Sequence, residues 1–227
     1  LPARERRWRS DPHRLLGART FLHPVALSSA TFDHEVAGWQ GAPQTIYSDH
    51  FLDVDPIDGP IGYKLEAPPL HPLIFVTSIG GFGRQAAASF VQFPNTHALL
   101  ALLRDGFHPE SVGGRVTLRK DGSPELDYPL TPFVMDGARR ALLSMAELQF
   151  AAGATQVMTG HELAPIYTTW PQAKAGIATL PMQPLLTKLV SAHVMGGCGL
   201  AADPARGDRV TWQIDDTLAD AARYCNT

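Results

Sequence analysis

Twenty glycines and nineteen prolines punctuate the 227 residues, about a sixth of the chain and above ordinary usage. Proline removes a backbone donor and glycine is costly to order, so this density interrupts long regular elements. A loop-rich α+β domain is therefore favoured over a helical bundle. No internal repeat is visible, which argues against a solenoid. With 44% hydrophobic residues the chain can bury a real core, as one large domain or two small ones.

The local patterns predict a mixed, mostly antiparallel sheet flanked by helices. Thr45 to Val54, rich in β-branched and aromatic residues, reads as a strand. Ile61 to Ala67 alternates and reads as its neighbour across an Asp58-Gly59-Pro60 turn. His97 to Arg104 suits a buried strand or a helix, and the hairpin behind it favours a strand. That hairpin joins Gly113–Arg119 to Glu125–Tyr128, with Asp121-Gly122 supplying the positive φ of a tight turn. Phe133 to Ala152 is the best helix: Met135, Ala138, Leu142, Met145, Leu148 and Ala152 follow the helical period, and Gly153 is placed to end it. Thr155 to Met158 reads as a short strand leading to Gly160-His161. Ala164 to Pro181 suits a loop over a cleft, and Leu185 to Val190 a helix delivering the chain into His193.

A net charge of −3 gives no footprint for nucleic acid or an anionic membrane. The basic cluster Arg4 to Arg9 reads as a solvated terminus. Cys198 and Cys225 lack metal-ligand spacing, so no metal site is expected. No apolar run approaches the roughly 20 residues of a membrane helix, and Leu1 to Arg7 opens no secretory signal. A cytoplasmic setting is expected, and Leu1 in place of Met predicts a processed, cropped or partial chain.

Leu73 to Ile79 followed by Gly81-Phe82-Gly83-Arg84-Gln85-Ala86 matches a G-x-G-x-x-A dinucleotide fingerprint, with Asp105 near the place of a ribose-binding acid. The fingerprint needs a helix long enough to cross the sheet and point its amino end at a pyrophosphate. Only Gln85 to Gln92 precedes Pro94, and a hairpin follows instead of alternating strands and helices. The segment reads as a Gly-rich turn that lets a loop approach a ligand or another loop.

The chemistry concentrates in Ser191-Ala192-His193-Val194-Met195-Gly196-Gly197-Cys198. His193 is either a satisfied group at a helix end or a base, since an unperturbed imidazole near pKa 6.5 can take an alcohol proton. This segment resembles the H-x-x-G-x-C signature of the glucose-methanol-choline (GMC) flavin oxidoreductases. Gly17 to Pro24, Gly41 to Gln44, Arg104-Asp105-Gly106, Gly114-Arg115-Val116, Asp127 to Leu130 and Ala151 to Ala154 are similar, in order, to stretches of that family's carboxy-terminal part. The likeness runs to about Gly207.

The resemblance implies an antiparallel substrate-binding domain packed over the flavin face of a separate FAD-binding domain. Residues 1–40 would lead out of the FAD domain, 41–190 form the substrate-binding domain, and 191–227 carry the catalytic histidine and an altered or truncated tail. It also implies oxidation of an alcohol, with hydride passing to FAD and His193 assisting proton removal. Gly196 and Gly197 would approach the cofactor, and Asp220-Ala221 resembles the turn over it. Ile166-Tyr167 with Trp170, and the stretch from Ile74 to Phe82, are apolar enough either to line the substrate side and favour a lipophilic, long-chain or cyclic alcohol, or simply to fill the core. His161 is placed either on the substrate side or at the surface. His23 reads as structural, His50 as facing either side of its strand, and Cys198 as packing.

Three features depart from the family. No good FAD-binding glycine fingerprint is present, Gly199-Leu200 replaces an Arg-Met-like pair, and Ala222 to Thr227 supplies no second partner for the histidine. This chain alone is thus expected to bind FAD weakly or not at all. The alternative reading is a non-catalytic fragment or binding module with the same fold. A hydrolase is disfavoured, because no G-x-S-x-G elbow is present.

Overall fold

The computed structural model describes residues 16–78 and 82–197. In chain order the strands are β1 (Ala18–Phe21), β2 (Pro24–Thr31), β3 (Tyr47–Ser48), β4 (Tyr63–Glu66), β5 (Thr96–Leu103), β6 (Gly114–Leu118), β7 (Pro124–Asp127), β8 (Gln156–Thr159), β9 (Leu189–Ser191) and β10 (Met195–Gly196). The helices are α1 (Pro72–Ser78), α2 (Arg84–Val91), α3 (Pro132–Ala151) and α4 (Trp170–Thr179). The expected α+β class with antiparallel sheets is what the chain adopts. Two compact units share these elements: the described residues of Phe21–Gly113 with Tyr128–Met195 form the larger, and those of Leu1–Thr20, Gly114–Asp127 and Gly196–Thr227 the smaller.

The larger unit is organised around β2. This strand pairs antiparallel with β5 on one side, and on the other with β8 along Ser28–Thr31 and β9 along Pro24–Ala26. β4 and β3 extend the sheet beyond β5. Alternation sends Ala26, Ser28 and Ala30 to one face and Leu27 and Ser29 to the other. The small side chains of the first face let α3 lie close. Its buried stripe (Val134, Met135, Ala138, Ala141, Leu142, Met145, Ala146, Gln149) follows the 3.6 period and forms the main core with Leu65, Ala101, Leu103 and Val157. Leu70, Phe75 and Ala98 make a second, smaller core with Ala86, Phe93 and Met158.

The ends of α3 are set by its sequence. Thr131 caps the start by accepting from the Val134 N–H at 3.3 Å, with Pro132 beginning the helix. At the other end Gly153 takes φ 96°, and Gly153 and Ala154 donate to the Phe150 and Gln149 carbonyls, a Schellman closure. In the smaller unit β6 and β7 form the anticipated hairpin, and Gly122 (φ 86°) supplies its left-handed position.

Three expectations are corrected. Within Thr45–Val54 only Tyr47–Ser48 pairs as strand, and turns occupy most of the residues after Asp49. Ala164–Pro181 contains α4, because Thr169 caps it by accepting from the Gln172 N–H and Pro171 sits in the first turn, where its missing donor costs nothing. The Arg139 guanidinium closes the far end of α4 by donating to the Ile177, Ala178 and Leu180 carbonyls. Leu185–Val190 is a turn running into β9, since Leu189 and Val190 pair with Ala26 and Val25. The apolar run before the glycines forms α1, which agrees with setting the dinucleotide fingerprint aside, since that site needs a strand there.

Among the described residues no helix is long and apolar enough to cross a membrane. No group of three or more His, Cys, Asp or Glu among them is placed to hold a metal. Arg4–Arg9, Gly81, Cys198, Gly199-Leu200, Asp220-Ala221, Ala222–Thr227 and Cys225 lie outside the described residues.

Candidate functional site

A cavity of about 470 Å³ occupies the larger unit, within the range of small-molecule sites. Leu27, Leu100, Met158 and Val190 from the sheet, Leu70 and Ile74 at and before α1, and Ile166 give it largely apolar walls. Glu162 and Lys188, paired at 3.1 Å, add charge to the lining.

β9 and β2 then bring two histidines together. The register Pro24↔Ser191 continues outward as the Ala192 N–H donates to the His23 carbonyl at 3.3 Å. Ser191 Oγ donates to the Leu22 carbonyl at 2.6 Å. His23 and His193 therefore leave the ladder side by side. Their Nδ1 atoms are 3.0 Å apart, and with centroids 5.2 Å apart and planes at 25° the rings meet edge to edge, nitrogen to nitrogen. Leu27, at the cavity wall, stands four residues along the strand from His23, about 13 Å at the strand rise.

The environments of the two rings differ. His193 is exposed and His23 half-buried. Burial lowers the His23 pKa below the ordinary imidazole value, the neighbouring His193 lowers it further, and Glu66 opposes both. His23 also takes φ 47°, uncommon for a residue with a side chain.

A third polar cluster lies in the same unit. The Tyr128 hydroxyl donates to Asp105 Oδ2, joining two of the stretches that carried the resemblance. Burial first, and then the Asp105 carboxylate, push the Tyr128 pKa well above the phenol range. Asp105 Oδ1 is buried without a hydrogen-bond partner among the described residues.

The anticipated substrate-side residues separate. His161 lies along the cavity but is buried, not at the surface, and both its ring nitrogens are engaged: Nδ1 accepts from the Leu163 N–H and Nε2 donates to the Pro181 carbonyl, each at 3.1 Å. Tyr167 is buried in the main core against Gly176, and Trp170 packs at that core's edge. Phe82 is 91% exposed. None of these three belongs to the cavity wall. In the smaller unit Gly196 and Gly197 both have φ 71°. The Gly197 N–H donates to the Arg19 carbonyl and its carbonyl accepts from Gly17. His50 is exposed, with its ring edge-on to Phe51.

Sequence reasoning missed His23 as the neighbour of His193. The only available signal is the strand-like Pro24–Thr31 run beside it, and the partner strand β9 lies in a stretch whose pattern suggests a helix.

No family model matches the chain. It is similar to two Mycobacterium tuberculosis proteins named as uncharacterized GMC-type oxidoreductases, from strains CDC 1551 and H37Rv. Each is 26% identical over 191 residues, covering 84% of this chain and 28% of the relative. The chain thus spans little more than a quarter of the length of these relatives. The likeness is distant, and it runs to the same type of oxidoreductase that the sequence motifs resemble.

Proposed function

We propose that this chain is the substrate-side part of an FAD-dependent oxidoreductase that oxidises the CH–OH group of a lipophilic alcohol, His193 taking the hydroxyl proton. The observation that carries this reading is the His23–His193 pair, an exposed imidazole held through Nδ1 by a second ring. His193 Nε2 makes no hydrogen bond among the described residues and is the nitrogen left for a substrate. The apolar cavity supports a lipophilic substrate, and the distant GMC-type relatives support redox chemistry.

The described residues fit FAD on one side only. Gly196 is exposed, carries no side chain and lies three residues from His193 in sequence, so this segment suits the edge of a flat ring system. No phosphate cradle accompanies it among the described residues: the glycine turn after α1 lacks its strand, and Gly197 is bonded within its own unit. The diphosphate would be held by residues other than those described. When bound, FAD supplies the hydride acceptor. His193 accepts and holds the proton, and the apolar walls orient the substrate chain and exclude water.

In the complete protein, His193→Ala is expected to slow alcohol oxidation by roughly 10²-fold or more, as loss of a general base does. Unchanged turnover would remove His193 from the mechanism. The chain by itself is expected to purify without stoichiometric flavin. A one-to-one flavin spectrum would overturn the division of the cofactor site.

A further inference from the structure

We infer that His23 is the positioning residue for His193: its Nδ1 accepts the Nδ1–H of His193 and so holds that ring in the tautomer whose Nε2 is bare. The inference rests on reading His193 as the proton acceptor.

The geometry admits one proton between the rings. At 3.0 Å, two N–H groups would collide and two lone pairs would repel, so one Nδ1 donates and the other accepts. The proposed role of His193 decides which: its Nε2 takes a substrate proton only if it is bare, so the proton of the neutral ring sits on Nδ1 and His23 accepts it. His23 is the buried partner, and both burial and His193 disfavour its charged form. The other charged group acting on it is Glu66 of β4, which is itself paired with Lys64 at 3.3 Å. Ser191 Oγ, the nearby side chain on β9, is bonded to the Leu22 carbonyl. His23, kept neutral by its surroundings, is able to offer a bare Nδ1 as that acceptor, with its own proton on Nε2.

The consequence is chemical. When a substrate O–H bond breaks, its proton forms the new N–H bond at His193 Nε2, and the positive charge spreads over a ring still donating through Nδ1 to His23. Nothing has to reorient during that transfer. A base held by a third group is the general arrangement of activated acid–base sites. His23 supplies that group from a strand end 170 residues away in sequence. Its left-handed backbone is a local strain that the β2–β9 ladder maintains.

The test needs no cofactor. Side-chain 15N–1H correlation spectra of the labelled chain, recorded above the imidazole titration range, report which nitrogen of each histidine carries the proton. His193, identified by loss of its signals in His193→Asn, is expected to be protonated on Nδ1. His23→Phe, which keeps an aromatic ring and removes the acceptor, is expected to release His193 from that tautomer. His23→Asn, whose Oδ1 can accept, is expected to restore it. A proton on Nε2 of His193 in the unsubstituted chain would overturn the inference without any variant. So would a tautomer indifferent to His23→Phe in a chain whose amide spectrum shows it folded. Either result leaves the flavin and turnover tests of the broader reading untouched.

Discussion

Gln149 is fully buried where α3 passes over the small-residue strip of β2, and it makes the main core's packing testable. Its Oε1 accepts from Ser28 Oγ at 2.6 Å, and its Nε2 donates to the Ser28 carbonyl at 3.2 Å. Gln149→Leu keeps much of the volume and deletes both bonds. Each is worth about 1 kcal/mol net, and a stranded buried hydroxyl costs about 1–3 kcal/mol. Ser28 Oγ retains only a 3.4 Å contact to the Met158 carbonyl, so little of that penalty is recovered. The expected loss is about 2–4 kcal/mol. Ser28→Ala strands Oε1 instead and should cost about 1–3 kcal/mol. The double variant removes both members of the side-chain pair and should be less destabilised than the two losses combined, giving a coupling of about 2 kcal/mol. Urea titrations of the chain and three variants, followed by circular dichroism, measure the cycle at equal m values. Additivity within about 0.3 kcal/mol would refute the argument that this pair is a mutually satisfied buried unit.

Two glycines separate steric from backbone cost. A Cβ on Gly176 would stand 2.6 Å from the Tyr167 ring, so Gly176→Ala should destabilise by about 1–3 kcal/mol; Gly153→Ala meets nothing within 4 Å but must hold φ 96°, and should cost about 1 kcal/mol. A Gly176→Ala melt unchanged from that of the unsubstituted chain would contradict the steric argument, and an unchanged Gly153→Ala melt the backbone one. His97 and His23 both have pKa values lowered chiefly by burial, so the unfolded chain binds protons more readily. Their contribution is present above the ordinary value of 6.5 and is lost as pH falls from there through the lowered folded values. His97→Gln should flatten that part of the stability profile, and an unchanged slope would exclude His97 as a source. Finally, 1-decanol should raise the melting temperature in proportion to its occupancy, whereas glycerol should not. No shift with decanol would refute the lipophilic reading of the cavity.

How much of the fold is legible in the sequence depends on the strength of its local signals. The α3 stripe with Gly153 and the β6–β7 hairpin with Gly122 are legible, because period and turn chemistry agree over many residues. β5 is legible only through the hairpin behind it. Leu185–Val190 is an apolar run too short to reveal its period, and it suggests a helix where the chain runs into β9. α4 is hidden by the prolines around it, although Pro171 in its first turn and Thr169 before it are start signals. The motif around His193 is readable and its partner is not. A hydrogen bond across 170 residues is set by sheet register, which no local pattern encodes.

That register explains why the larger unit can couple stability to chemistry through one strand. Ala26, Ser28 and Ala30 bind β2 to α3, while Leu27 and Ser29 face the cavity. Because side chains alternate strictly, any shift that exposed the first set would also withdraw the second. The same strand begins at Pro24, beside His23, and pairs there with Ser191, two residues before His193. A slip of one residue between β2 and β9 would therefore part the two imidazoles by about 3 Å, the rise of one strand residue, and end a hydrogen bond that tolerates far less. The spacing of the histidine pair is thus set by the β2–β9 register, on the same strand that carries the α3 contacts.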